Sequence, residues 1–140
     1  FSFINGFNVI VPVVPTTFMP SLLDAGYQFW PLIAAISVGM SLADMAGYVV
    51  GRYLGKFHHA DEWGVLRKLQ AIREKSHYTP LVVAFLWGSF VPLPFELVMI
   101  PLGIMHYRVL TIFAISISAN VIFNTITAVG FVELFAWLLL

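Results

Sequence analysis

Two carboxylates lie in sequence apolar enough that each needs a reason to be there. Asp44 sits inside the run Phe29 to Leu54, and Glu96 ends Val91-Pro92-Leu93-Pro94-Phe95-Glu96. An acid within a membrane crossing costs at least about 2.5 kcal/mol on insertion scales, so by default it faces a cavity or a partner. The chemistry such residues support is proton exchange, or the lining of a polar path. For Asp44 the competing role is a structural hydrogen bond or ion pair. Glu96 falls in the first turn of a half-helix starting near Pro94, where free N–H groups favour the carboxylate while burial favours the neutral acid. It therefore reads either as a proton switch or as a cap for those donors. Thr16 and Thr17 hold a similar place in an earlier apolar segment, and either line a path or bond back to their own helix. Asn120 shares a face with Ser116 and Asn124, and either joins helices or lines a cavity opposite Asp44. Arg52 and Arg108 are the cations nearest to apolar sequence, and Arg52 also reads as a snorkelling anchor.

The elements that must position these groups belong to a membrane. Of 140 residues, 60% are hydrophobic and 10% charged, and the mean hydropathy is +0.91, where soluble domains carry about 25% charge. Cysteine is absent, which excludes disulfides, zinc–cysteine sites and thiol catalysis. His58, His59, His77 and His106 have no metal-ligand spacing. There is no phosphate loop, zinc signature or nucleophile elbow, so neither enzymatic activity, metal, cofactor nor nucleic-acid binding is expected. Phe1 to Ile10 lacks the basic region and cleavage site of a signal peptide. Without an initiator methionine, and with its end inside the apolar run Phe135 to Leu140, the sequence leaves open whether either native end is missing or trimmed.

Two apolar segments are broken by prolines, residues 1–26 by Pro12, Pro15 and Pro20, and residues 79–105 by Pro92, Pro94 and Pro101. Proline removes a donor and clashes with the preceding turn, so neither segment is one straight crossing. Unpaired backbone at membrane depth survives only against protein or a water-filled cavity, and each segment is expected to be a re-entrant helical hairpin. Transmembrane helices are expected over 29–54 and 107–129, a surface helix over 56–77, and the start of a last helix over 130–140. Six of the seven basic residues flank or occupy the connection 55–77, which places it in the cytoplasm. Val11-Pro12 aligns with Val91-Pro92 and Pro15 lies near the place of Pro94, so the single membrane domain 1–140 reads as all-α and inverted-repeat-like. Gly39, Ala43, Gly47, Gly51 and Gly55 make one smooth stripe, suited equally to a homo-oligomer contact or to a broken segment of the same chain.

Gly47-Tyr48-Val49-Val50-Gly51-Arg52-Tyr53-Leu54-Gly55 resembles the Gly-Tyr-x-x-Gly-Arg-x-x-Gly signature of the DedA family, also called the VTT or SNARE-associated Golgi protein family. Phe90 to Glu96 resembles that family's proline-bearing re-entrant segment, and Leu102 to Phe113 the stretch that follows it. The resemblance implies paired re-entrant hairpins between transmembrane helices, and movement of lipids between leaflets. It also implies the plasma membrane of a bacterium or archaeon. Ser89 and Phe95 stand where many bacterial members have arginines, and Thr16, Thr17 and Ser21 where they have an acid. Glu96 is therefore expected to take over the acidic role, with helix N-termini at the breaks serving an anionic headgroup.

The expected function is a transporter moving a lipid or lipid-linked anion, a polyprenyl phosphate or a phospholipid, with membrane lipids and protons as its partners. Glu96 and Asp44 would line its cavity with Thr16, Thr17, Asn120, Arg52 and Arg108. The alternatives are a proton-coupled exporter of small solutes and a non-transporting membrane scaffold.

Overall fold

The computed structural model describes residues 18–56, 64–91 and 93–139. Among these residues every regular element is a helix, and no strand is present. Pro12, Pro15, Thr16, Thr17 and most of the first proline-broken segment lie outside the described residues, as does Pro92.

Helix α1, Met19–Asp24, begins with Pro20 in its first turn, where the missing N–H is not needed. Gly26 ends it at φ 90°, a left-handed conformation that glycine adopts freely. Helix α2, Phe29–Leu54, has 26 residues, about 39 Å at 1.5 Å per residue, enough to cross a hydrocarbon core of about 30 Å. Helix α3, Gly64–Lys75, is amphipathic and carries Arg73 and Lys75 in its last turn, where cations complement the helix dipole.

The second proline-broken segment forms two short helices, α4 (Thr79–Phe90) and α5 (Glu96–Ile104). The break has a local cause. Val91 precedes Pro92, which disfavours helical backbone, and Val91 is extended at φ −99° and ψ 117°. Twelve residues make α4 about 18 Å long, too short to cross a bilayer. The two outer ends of this segment meet: the Tyr107 hydroxyl, just past α5, donates to the His77 carbonyl, just before α4, at 2.9 Å.

Helix α6 runs from Val109 to Leu139. The sequence pattern suggests a crossing over 107–129 and the start of another helix at 130, but the helix continues through Gly130. A lone glycine costs a helix only about 1 kcal/mol, and no proline lies nearby to interrupt the hydrogen bonds. Two helices, α2 and the part of α6 from Val109 to Gly130, are long and apolar enough to cross a membrane.

α2 packs on α5 along one face and on α6 along another, while α4 closes against α6. Tyr48, Leu81, Phe95, Met99, Leu102 and Ile112 belong to the shared core of α2, α4, α5 and α6. Met19, Ile33, Ile36 and Ala128 form a second cluster that ties α1 to α2 and α6. The outward faces stay apolar, with Val38, Leu42, Val49, Val82, Leu86, Leu97 and Ile126 exposed.

Candidate functional site

The glycine stripe lets two backbones touch. A Cβ built on Gly51 would overlap the Ile100 carbonyl of α5, one on Gly55 would meet Ile104, and one on Gly103 would overlap the Tyr48 carbonyl. Gly47 faces the Glu96 side chain, whose Cγ would lie 3.4 Å from an added Cβ. Of the two contacts the stripe allowed, these positions make the one with a broken segment of the same chain. It holds Glu96 over Gly47, one turn beyond Asp44 on α2.

Asp44 is buried, and its Oδ2 accepts hydrogen bonds from Ser116 Oγ at 2.6 Å and Asn120 Nδ2 at 2.7 Å. Asn120 Nδ2 also donates to Ser41 Oγ at 3.1 Å, and Asn124 Nδ2 donates to Ser37 Oγ at 3.1 Å. Ser37, Ser41 and Asp44 ascend α2 as Asn124, Asn120 and Ser116 descend α6, so the two helices are antiparallel and share a continuous polar seam. Ser37 and Ser41 were not foreseen as part of it. Their spacing with Asp44 and Tyr48 along one face was the available signal.

Glu96 opens α5 and is also buried. Its Oε1 has no hydrogen-bond partner among the described residues, and neither do Ser89 Oγ and Trp87 Nε1. These orphaned polar atoms flank the break on both sides. Buried polar groups are normally paired, and exceptions in native structures call for an explanation. Pro94 lies in the break, two residues before α5, and its carbonyl accepts from Leu97 N–H at 3.3 Å.

Arg52 and Arg108 occupy a separate level. Arg52 is eight residues beyond Asp44, about 12 Å along the helix. Its Nη1 donates to Tyr48 Oη at 3.3 Å, and the Tyr48 hydroxyl donates in turn to the Tyr107 carbonyl. Tyr48 thus pins the turn between α5 and α6 to α2. Arg73 of α3 grips the same turn, donating to the Met105 carbonyl at 2.9 Å and lying 5.0 Å from the Tyr107 ring centroid. Burial raises the Tyr107 phenol above its ordinary value, against the opposing pull of Arg73, so the hydroxyl stays protonated and donates to the His77 carbonyl. Among the described residues no group of three or more His, Asp or Glu side chains could hold a metal ion.

The sequence-derived candidates therefore divide into two levels. Asp44, Asn120 and Glu96 gather in the interior at the level of the break, and Arg52 and Arg108 at the charged end. No family model, curated protein or solved structure matches this chain. The chemistry must be argued from the site itself. Its interior level offers one carboxyl already satisfied by two donors and a second with an unpaired oxygen, which can exchange a proton or accept a hydrogen bond from a passing polar group.

Proposed function

We propose that the chain is an integral membrane protein of the DedA or VTT type. It moves a lipid or lipid-linked anion, a polyprenyl phosphate or a phospholipid, between leaflets, with coupling to protons. The carrying observation is the burial of Asp44 and Glu96 beside a backbone break, each on a predominantly apolar helix. Ionisable groups at such depth mark substrate and proton pathways. Broken helices at the same depth are the usual frame for a transport site.

Other features support the membrane setting. The exposed faces of α2 and α6 are apolar, and the aromatic side chains Trp30 and Tyr53 stand exposed near the two ends of α2. They are about 34 Å apart along the helix, the spacing of the two interfaces that aromatic residues favour. Because its ends meet, the α4–α5 segment acts as the re-entrant hairpin. Residues 55–77 face the cytoplasm.

The test is leaflet exchange of a fluorescent phospholipid by purified protein in liposomes, with and without a pH gradient. Wild type is expected to accelerate exchange, and Asp44→Asn combined with Glu96→Gln to return it to the protein-free rate. Unchanged exchange would remove both carboxyls from the mechanism. Solute flux without lipid movement would favour an exporter.

A further inference from the structure

The charged end of the bundle contains a pocket of about 480 Å³ walled by Arg52, His106, Tyr107, Arg108, Val109 and Thr111, with Leu110 at its edge. Its cations come from distant parts of the chain, Arg52 from the last turn of α2 and Arg108 from the residue before α6. The antiparallel seam brings them together: continued toward the end of α2, its pairing sets Arg52 beside the start of α6. Tyr48 fixes that arrangement by bonding both the Arg52 guanidinium and the Tyr107 carbonyl. His106 enters at φ 55°, a left-handed backbone uncommon for a side chain larger than glycine.

A second, apolar groove of about 530 Å³ lies beside this pocket. Leu110 and Thr111 line both, and Phe85, Ala114, Ile115 and Ser118 continue the groove between α4 and α6. The Ser118 hydroxyl turns back to the Ala114 carbonyl at 2.7 Å, so it offers no unpaired donor to the groove. Among the described residues no acidic side chain lines either space.

A cationic pocket beside an apolar groove, with Leu110 and Thr111 common to both, has the polarity of an amphiphile with an anionic head. We propose that this composite site docks an anionic phospholipid, its phosphate against Arg52, His106 and Arg108 and one acyl chain along the groove between α4 and α6. Arginine suits this role because its planar fork pairs with phosphate oxygens through two parallel hydrogen bonds. The first turn of α6 adds free N–H groups. The site is distinct from the Asp44 and Glu96 level. It rests on the reading of α2 and α6 as membrane crossings, but not on transport.

Binding of short-chain phosphatidic acid to the full chain in detergent, followed by native mass spectrometry or calorimetry, tests the site. Phosphatidylcholine of the same chain length and inorganic phosphate serve as the comparison probes. Arg108→Gln should weaken phosphatidic acid binding about tenfold, the worth of one charge-assisted contact. His106→Gly suits the local backbone and should weaken it less, while Arg52→Lys keeps the charge but loses the fork. Ala114→Trp, which fills the groove, should weaken the lipid and leave the binding of inorganic phosphate unchanged. Equal affinity for phosphatidylcholine, or phosphatidic acid binding indifferent to Arg108→Gln in a folded protein, would overturn the proposal. Phosphate binding as tight as the lipid would also overturn it, by making this a free-anion site. The two proposals fail separately: flux that survives Arg108→Gln alongside unchanged lipid binding sinks the docking site alone. Absent flux with Arg108-dependent binding sinks transport alone.

Discussion

Ser116 Oγ and Asn120 Nδ2 both donate to one oxygen of Asp44. That makes the Asp44 contacts worth more than the neutral Asn124–Ser37 pair further along the seam. Interhelical hydrogen bonds between neutral groups in membranes average about 0.6 kcal/mol, whereas leaving a buried carboxyl short of a donor costs about 1–3 kcal/mol. Ser116→Ala is therefore expected to lower stability by the larger amount and Ser37→Ala by the smaller, with Ser116→Thr restoring most of the loss. Unfolding by sodium dodecyl sulfate in mixed micelles ranks the three variants, and equal effects for Ser116→Ala and Ser37→Ala would show that Asp44 does not depend on its second donor. This part of the site was half legible in the sequence. An aspartate and an asparagine in apolar helices announce themselves, because burial makes each of them costly without a partner. Ser37 and Ser41 do not, since a small hydroxyl can be satisfied within its own helix. The approach of Arg52 to Arg108 was hidden for another reason: it depends on the register between two helices far apart in sequence.

The contact between α2 and α5 turns on glycines whose roles differ although their residue type does not. A Cβ at Gly51 would drive into the Ile100 backbone, which cannot swing aside as a side chain can. Gly51→Ala is therefore expected to destabilise by about 1–3 kcal/mol or more, the range for overpacked cores. Gly130 lies within a helix with nothing inside 4 Å of an added Cβ. There Gly130→Ala should be neutral or stabilise by up to about 1 kcal/mol, because alanine is the better helix former. The same micelle titration reads both, and a stabilised Gly51→Ala would mean that α2 and α5 do not pack this closely. The small-residue spacing revealed that α2 has a smooth face, but not what covers it. Likewise, the prolines announced a break near 91–95, and the bounds of α2 match the apolar run in the sequence. The continuity of α6 through Gly130 escaped the sequence reading because an end inferred from one glycine ignores how little that residue costs.

At the scale of the whole molecule, four helix ends converge on one face of the bundle: the end of α2, the start of α4, the end of α5 and the start of α6. The charged helix α3 is fastened there by Arg73. Because the chain has no cysteine, single cysteines can report sidedness without background. Lys75→Cys should react with a membrane-impermeant maleimide in inside-out vesicles and not in spheroplasts. Leu42→Cys, exposed at the middle of α2, should react in neither and become reactive only in detergent. Ready labelling of Leu42→Cys in intact membranes would remove α2 from the bilayer. Labelling of Lys75→Cys in spheroplasts would invert the orientation read from the basic residues.

The polar seam between α2 and α6 has a mechanical consequence. Its groups recur at about one-turn intervals on both helices, as Ser37, Ser41 and Asp44 on one and Ser116, Asn120 and Asn124 on the other. A rotation of either helix about its axis would strand several buried polar atoms at once. A slide of one turn, about 5.4 Å, would instead present Asn124 where Asn120 now meets Ser41 and Asp44. The seam works as a toothed track: it fixes azimuth firmly and height only in steps, and the Tyr48 hydroxyl, bonded to the Tyr107 carbonyl just before α6, selects which step is occupied.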